Sequence, residues 1–414
     1  MTRKLLSTGE AQGLLPWDLE PELGAAGHHA IKLCPCRSSR ALRFPEQRIN
    51  STGNLTDACG QKRLYHQKRS AITPPVVLSS PSTDPQIGAG CAPADIPFET
   101  IVTDVSCHPT RDAVAIGTVD GDAFVHSYSL NSPSRELLHL THHRSSCRKV
   151  RFSTDGSMLF TGSKDQSLCM VDLNTGAVAH RLPEAHSASI YSLCVVDEHL
   201  LASGDDDGHV KVWDRRSNTA VMDCRETDEF ISDMATGDNH RVLLATSGDG
   251  TLTAFNLRQR ALQLQSEPLE DEFLSLAILK ARAPMPSHGR KVLVGAGDGS
   301  VNLFSWGRWD NMDDRLPLGR SQAVDSLVAI TEDLYCLGTA DGRVRVASVL
   351  PNKCLGVLGS HGHFPVESLS VSRDGHLVAS CSHDQRIKFW DVSSVENLRP
   401  PSEDFFAGLE AGPD

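Results

Sequence analysis

Apolar and polar residues alternate in short runs through most of the chain from residue 98 onward. One stretch shows the pattern clearly: SIYSLCVV (189–196) is followed by HLLAS (199–203), a tight turn and HVKVWD (209–214). Alternation over four to eight residues predicts β-strands that bury one face more than the other. Almost no segment of this region shows a helical period, so the sequence predicts an all-β fold.

A turn built on Asp-Gly or a related pair recurs seven times, and each turn precedes an alternating strand, so we expect hairpins at these places. The turn aspartates are separated by 42 to 49 residues, and they are Asp120, Asp165, Asp207, Asp249, Asp298, Asp341 and Asp384. A unit of this length with about four short strands is typical of a propeller blade. Seven units predict a seven-bladed β-propeller over residues 95–395, whose closed ring leaves no long free sheet edge.

The segments outside the repeats lack sustained periodicity. Residues 1–94 contain scattered Pro, Gly and Ser, which predicts a mostly disordered extension. Residues 396–414 are predicted to form a short, flexible, acidic tail. Propellers commonly close when one terminus lends a strand to the blade of the other, and either 95–100 or 395–399 can supply it here. We favour 95–100, because Pro400 and Pro401 end the second segment early.

Composition and charge narrow the function classes. Hydrophobic residues make up 39 % of the chain, yet no apolar run approaches the roughly 20 residues of a membrane-spanning helix. The twelve Cys residues lie mostly inside apolar strands, so we expect free thiols in a reducing compartment. Residues 98–414 carry 29 basic and 44 acidic side chains. An acidic body repels nucleic-acid phosphates, so we expect protein partners, RNA contact that is at most indirect, and no membrane.

Two repeat units carry the same four residue types at matching places. They are His186, Ser203, Asp207 and Trp213 in the third unit, and His361, Ser380, Asp384 and Trp390 in the seventh. A partial set in the second unit comprises His143, Thr161 and Asp165. A His–Ser–Asp set also suits a hydrolase, but its recurrence favours buried hydrogen-bond networks. The sequence has no nucleophile elbow, phosphate-binding loop or H-E-x-x-H motif, so we predict no enzyme, metal, cofactor or small-molecule substrate.

Two units end in Trp-Asp, at 213–214 and 390–391, and the whole pattern resembles the WD-repeat family. The tetrapeptide WDRR (213–216) also fits the W-D-x-R pattern of WD-repeat receptors that dock on the adaptor of cullin-4 ubiquitin ligases. In that hypothesis Trp213, Asp214 and Arg216 form the docking site, and Arg216 pairs with an acidic partner surface. The alternative is that these residues form a solvated turn at the end of a blade.

Longer phrases resemble one branch of that family more closely. They include DIPFETIVTDVSCHP (95–109), EFISDMATGDNHRVLLATSGDGTLTAFN (229–256), SHDQRIKFWD (382–391) and EDFFAGL (403–409). These phrases are similar to WD repeat-containing protein 55, a propeller family tied to ribosomal RNA processing. The resemblance implies a non-enzymatic scaffold for protein–protein interactions, with pre-ribosomal assembly factors as partners. A substrate receptor of a cullin-4 ligase remains the alternative function.

The resemblance also implies a location in the nucleus and nucleolus, with the cytoplasm as a further compartment. Members of this family carry a Lys/Arg-rich stretch before the FFAGL tail, whereas SSVENLRPPS (393–402) stands there in this chain. They also begin with a short acidic segment, whereas residues 1–94 are slightly basic. The basic cluster QKRLYHQKRS (61–70) is either a nuclear-import segment or a solvated basic stretch.

Overall fold

The structure, a computed structural model, describes residues 86–87, 90–237, 239–280, 290–318 and 322–395. Most of the predicted disordered extension, the basic cluster 61–70 and the predicted tail 396–414 lie outside the described residues. Within them, 28 β-strands form seven antiparallel sheets of four strands each. This arrangement confirms the predicted seven-bladed β-propeller. No helix in the described part of the chain has the length and apolar character needed to cross a membrane.

Each blade is one sheet, and its strands follow one another along the chain except in blade 7, which takes its outer strand from the N-terminal segment. The strands of blades 1 to 3, preceded by that N-terminal strand, are β1 (Ile96–Pro97), β2 (Val102–Cys107), β3 (Ala113–Thr118), β4 (Ala123–Ser127), β5 (Arg135–Leu140), β6 (Cys147–Phe152), β7 (Met158–Ser163), β8 (Leu168–Asp172), β9 (Ala177–Leu182), β10 (Ile190–Val195), β11 (Leu200–Asp205), β12 (His209–Asp214) and β13 (Thr219–Arg225). The strands of blades 4 to 7 are β14 (Ile231–Thr236), β15 (Val242–Ser247), β16 (Leu252–Asn256), β17 (Ala261–Gln265), β18 (Phe273–Ile278), β19 (Lys291–Ala296), β20 (Ser300–Ser305), β21 (Asp314–Pro317), β22 (Val324–Ala329), β23 (Leu334–Thr339), β24 (Arg343–Val349), β25 (Asn352–Ser360), β26 (Val366–Val371), β27 (Leu377–Ser382) and β28 (Arg386–Asp391).

The place of a strand within its blade decides its composition. The first strands of neighbouring blades pack against one another around the ring, and β26 of blade 7 packs against β2 of blade 1. Second strands are buried at every residue, as in β3 with the sequence AVAIGT, or at every residue but the first, as in β11. Neighbouring blades cover both of their faces, so they form continuous runs of apolar or small residues. Outer strands such as β5 and β17 are mostly exposed, and their sequences are correspondingly mixed.

The hydrophobic core is divided into seven clusters, and each cluster lies between two neighbouring blades. Val125 and Leu140 of blade 1, for example, pack with Val150 and Phe152 of blade 2. No blade therefore buries its apolar faces alone. The ring must be complete for every blade to have two covered faces.

The N-terminal strand closes this ring, as the sequence analysis favoured. β1 pairs antiparallel with β28, with Ile96 opposite Ile387, and becomes the fourth strand of blade 7. Beyond β1, Phe98 N donates to Gln385 O at 2.8 Å. Ile96 is 2 % exposed and packs in the cluster between blades 7 and 1. The last blade is therefore held by residues from both ends of the described chain.

Contacts with the propeller also begin upstream of the boundary that we predicted at residue 95. Ile87 N donates to Val357 O at 2.9 Å, and Cys91 N donates to Asp391 Oδ2 at 3.0 Å. The Ile87 side chain joins the cluster between blades 6 and 7. An apolar anchor and backbone hydrogen bonds therefore hold these upstream residues against blades 6 and 7.

We predict that Ile96→Ala lowers the free energy of unfolding by about 2–5 kcal/mol, because it leaves a cavity at the seam where the ring closes. Leu130→Ala is the matched control, since Leu130 is 53 % exposed, and its effect should stay within about 0.5 kcal/mol. Urea unfolding of the full chain measures both. Equal midpoints for Ile96→Ala and the control would contradict the role of β1 in closure.

Candidate functional site

The four-residue network of blade 3 joins a loop to two strands. His186 lies in the loop before β10, with Nε2 2.6 Å from Ser203 Oγ on β11 and Nδ1 2.9 Å from Asp205 Oδ2. Trp213 on β12 donates its indole N–H to Ser203 Oγ at 2.8 Å. With the ring proton on Nδ1, His186 donates to the carboxylate, and Ser203 donates to Nε2 while it accepts from the indole. Every polar atom in this chain of hydrogen bonds then has a partner.

The carboxylate in this network belongs to Asp205, and the prediction of Asp207 was wrong. Strand β11 extends to Asp205 and buries its side chain, whereas Asp207 lies in the following turn and is exposed. Asp205 Oδ1 also accepts from the backbone N–H groups of Asp207, at 3.1 Å, and His209, at 2.8 Å. The run of three aspartates at 205–207 hid this shift, because alignment on the turn selects the third one.

Blade 7 contains the network that the sequence predicted there. His361 Nε2 lies 2.6 Å from Ser380 Oγ, and its Nδ1 lies 2.8 Å from Asp384 Oδ2. Trp390 donates to Ser380 Oγ at 2.7 Å. Here the carboxylate comes from the turn, because Ser382 occupies the strand position that Asp205 takes in blade 3. The two blades therefore build the same hydrogen bonds from different places in the chain.

Burial and hydrogen bonding together set the charge states of the ionisable groups in both networks. Burial alone would raise the pKa of Asp205, but the hydrogen bonds from His186 and from the backbone of His209 outweigh it and hold this pKa below its usual range. Burial lowers the pKa of His361, which Asp384 opposes only in part. The imidazole of His361 is therefore neutral at neutral pH, as its acceptance of a hydrogen bond at Nε2 requires.

These networks are structural and do not form hydrolase sites. His186, Ser203 and Asp205 are 2 %, 0 % and 0 % exposed, so no substrate reaches the hydroxyl. The Ser203 oxygen is also held between the indole and the imidazole. Each network fastens the loop that enters its blade to the blade's second and third strands.

Four of the five remaining turn aspartates accept hydrogen bonds within the hairpins in which they were predicted. Asp165, Asp249, Asp298 and Asp341 each accept from the backbone N–H two residues later, at 3.0 to 3.2 Å. Asp120 lies exposed in the corresponding turn of blade 1. These carboxylates hold tight turns closed, as Asp side chains commonly do.

The predicted docking residues divide into one buried and two accessible side chains. Trp213 is buried in its network, so its indole does not face a partner. Arg216 is exposed in the turn after β12 and forms a bidentate ion pair with Asp214, with distances of 2.9 Å to Oδ1 and 2.6 Å to Oδ2. The hydrogen bonds from Arg216 hold the pKa of Asp214 below its usual range. Beside this pair, a cleft of about 400 Å³ is lined by residues that include Met158, His199 and Arg215.

Sequence reasoning missed a charged network on the inner strands. Asp104 on β2 accepts from the backbone N–H of Val150 at 2.8 Å and from the Arg151 guanidinium, both on β6. Asp233 on β14 accepts from the backbone N–H of Leu276, on β18, at 3.1 Å. Burial raises the pKa of Asp233 against the opposing charges of Lys149 and Arg151. Charged residues inside otherwise apolar first strands were the available indication of these links between blades.

We predict that Asp205→Ala lowers the free energy of unfolding by about 1–3 kcal/mol, because it leaves His186 and two backbone N–H groups without an acceptor. Asp207→Ala removes the same type of side chain two residues away and should change the free energy of unfolding by less than about 0.5 kcal/mol. Urea unfolding distinguishes the two variants. A larger loss of unfolding free energy for Asp207→Ala than for Asp205→Ala would contradict the place of Asp205 in the network and favour Asp207.

Comparisons with known proteins agree with this architecture. The WDR55 family model matches residues 93–395. WD repeat-containing protein 55 of Rattus norvegicus is 41 % identical over 307 residues, which are 74 % of this chain and 78 % of the relative. The Homo sapiens protein of that name is 39 % identical over 345 residues, 78 % of this chain and 88 % of the relative. The WD repeat-containing protein 55 homolog of Drosophila yakuba is 36 % identical over 308 residues, 74 % of this chain and 60 % of the relative. With its seven blades matched almost from end to end, the chain belongs to the WDR55 family of WD-repeat proteins.

Proposed function

We propose that this protein is a non-enzymatic scaffold that holds protein partners during ribosomal RNA processing, in the nucleus and mainly in the nucleolus. The observation that carries the proposal is membership of the WDR55 family. The resemblance to that family, stated in the sequence analysis, implies a part in ribosomal RNA processing. WD-repeat propellers in general act as platforms for protein–protein interaction. The buried His–Ser–Asp networks are consistent with this role, since they hold loops in place and expose no nucleophile.

The ring supplies the rigid base that such a scaffold requires. The turns between second and third strands and the loops between blades lie on one side of the ring, which we call the top face. This arrangement follows from the strand order, because each blade runs back and forth four times. Loops held by a rigid scaffold are the usual place for binding residues.

The charge of the top face favours a protein partner over RNA. The two loops that lead into blades 4 and 5, residues 226–230 and 266–272, expose five carboxylates: Glu226, Asp228, Glu267, Glu270 and Glu272. Such a surface repels phosphates and attracts Lys- or Arg-rich protein segments. Basic segments of assembly factors are therefore the partner chemistry that we propose for this face.

An aromatic group lies beside this acidic surface. The Arg148 guanidinium lies 5.2 Å from the centre of the Tyr191 ring, whose own centre is 4.9 Å from that of Phe230. Arg148 also pairs with Asp206 at 2.7 Å. Rings and Arg side chains of this kind are common anchors in protein interfaces. The half-buried Tyr191 ring, which packs on the buried Phe230, supplies apolar contact area next to the charges that attract a basic partner.

Depletion of the protein from cells that express it tests this proposal. We predict that ribosomal RNA precursors rise relative to the mature species, and that re-expression of the full chain restores the ratio. Northern analysis of the precursors measures it. Unchanged precursor ratios after depletion would refute a role in ribosomal RNA processing.

The same assay tests the proposed face. Re-expression of a Glu270→Lys, Glu272→Lys double variant should fail to restore the ratio, because it reverses charge on the top face. A Glu136→Lys, Asp310→Lys double variant changes the net charge equally at exposed sites away from that face, and it should restore the ratio. If both double variants restore the ratio fully, Glu270 and Glu272 of the top face are not needed for the function, which would contradict the proposed binding face.

A cullin-4 substrate receptor is the second candidate function, and the exposed Arg216 guanidinium favours it. The guanidinium lies in a turn on the face opposite the acidic loops, where its partner Asp214 holds it in a defined orientation. An acidic adaptor surface would compete with Asp214 for the same fork of N–H groups. This function would make the propeller an exchangeable substrate receptor that docks on the adaptor of the ligase.

We predict that, if this second function holds, Arg216→Ala abolishes binding of the purified cullin-4 adaptor, because no other group replaces the bidentate pair. Arg258→Ala is the matched control. Arg258 occupies the same turn in blade 4, where its N–H donates to Asn256 Oδ1 at 3.0 Å as that of Arg216 does to Asp214 at 2.9 Å. Adaptor binding that is equal in the two variants, or absent from the wild type, would exclude docking through WDRR.

A further inference from the structure

Blade 2 departs from the network of blades 3 and 7 in a correlated way. Thr161 takes the place of Ser203, and Val171 takes the place of Trp213, so no indole reaches the hydroxyl. His142 fills that role, with Nε2 2.7 Å from Thr161 Oγ1. A second histidine therefore enters the blade where the others place a tryptophan.

A second replacement lies next to the first. In blade 3 Lys211 lies opposite Ser203 on the neighbouring strand and donates to Ala185 O at 3.1 Å. In blade 7 Lys388 occupies the equivalent position, opposite Ser380, and donates to Ser360 O at 2.9 Å. In blade 2 that register holds Cys169, opposite Thr161. The residue before the network histidine, Ala185 or Ser360 in the other blades, is His142 here. A thiol thus stands where the other two blades place an ammonium, and an imidazole side chain is added at the position of Ala185 and Ser360.

These replacements place three metal-binding groups together. One ligand atom each from His142, His143 and Cys169 lies within 4.8 Å of the other two. His143 Nε2 lies 2.8 Å from Thr161 Oγ1, so both imidazoles meet at the same hydroxyl. Cys169 is fully buried, and His143 is 9 % exposed.

The surroundings of the imidazoles suit ligands more than they suit a closed hydrogen-bond network. His143 Nδ1 lies 2.9 Å from Ser167 Oγ and 3.5 Å from Asp165 Oδ1, as in a histidine oriented by a carboxylate behind it. Among the described residues, His142 Nδ1 is buried and has no hydrogen-bond partner.

We propose that His142, His143 and Cys169 bind one Zn²⁺ ion in blade 2. Two imidazole nitrogens and one thiolate are the ligand types that Zn²⁺ takes, whereas Mg²⁺ and Ca²⁺ require oxygen ligands. Thr161 Oγ1 or a water molecule is available for a fourth position. The ion ties the loop at residues 141–146 to β7 and β8, the task that Trp213 and Lys211 perform in blade 3.

The charge balance of the site is compatible with the ion. Binding forms a bond from zinc to Cys169 Sγ and breaks the S–H bond, whose proton passes to solvent, and no atom changes oxidation state. Arg181, the nearby cation, pairs with Asp165 at 3.3 Å.

Cobalt substitution tests the site in the full chain after treatment with a chelator. We expect one equivalent of Co²⁺ to give a thiolate-to-cobalt charge-transfer band that Zn²⁺ abolishes by displacement. Cys169→Ala should lose the band and weaken Co²⁺ binding at least 100-fold. Cys336→Ala, which removes a fully buried thiol from blade 6, should keep both. Zn²⁺ should also raise the melting temperature of the wild type and of Cys336→Ala but not that of Cys169→Ala.

A second variant keeps the test independent of folding at Cys169. His142→Gln retains a hydrogen-bonding group near Thr161 but removes the imidazole, and it should weaken Co²⁺ binding while the near-ultraviolet circular dichroism stays that of the wild type. A wild type without the band, or a band that persists in Cys169→Ala or at full strength in His142→Gln, would overturn the proposal. None of these outcomes depends on the role in ribosomal RNA processing.

Discussion

The pairing of β1 with β28 is the contact on which the rest of this structure depends. Every hydrophobic cluster lies between two blades, so a blade at an open end of the ring would expose one apolar face. Closure by a strand from the other end of the chain turns seven mutually dependent sheets into one ring. Because the two strands are far apart in the sequence, their pairing costs loop-closure entropy. The burial of apolar side chains along the seam between blades 7 and 1 offsets that cost.

Within the closed ring, polar networks stabilise individual blades. In blades 3 and 7 four side chains satisfy one another's hydrogen-bonding groups. They are a histidine from the entering loop, a serine, an aspartate and a tryptophan. Because an unpaired buried group costs more than its hydrogen bond contributes, such networks define the position of a loop. They hold the loops that enter blades 3 and 7 at defined positions.

The sequence was sufficient for the fold because the signals that specify it are local and repeated. The turn aspartates, the alternating strands and their spacing recur seven times, so an error in one unit is outweighed by the others. Placement of individual side chains was less certain. Asp205 was missed because alignment on the turn selects Asp207, whereas the carboxylate of this network stands at the last position of β11, where blade 7 has Ser382.

Contacts between blades were beyond the repeat pattern. Asp104 binds Val150 and Arg151 across a blade boundary, and His142 meets Cys169 through a loop and a strand that the sequence separates by 27 residues. Each residue alone resembles an ordinary loop or strand position. The first contact follows from the packing of the first strands of neighbouring blades, and the second from the fold of a loop over the blade that it enters. Periodicity encodes neither.

The central functional claim is that the propeller holds proteins of the ribosome-maturation machinery by direct protein contact. Affinity purification of the tagged full chain from nuclear extract, with and without nuclease, followed by protein identification, tests it most directly. The account predicts that pre-ribosomal assembly factors are recovered and that nuclease leaves the directly bound ones in place. Recovery of the cullin-4 adaptor without assembly factors, or loss of every assembly factor on nuclease treatment, would contradict it.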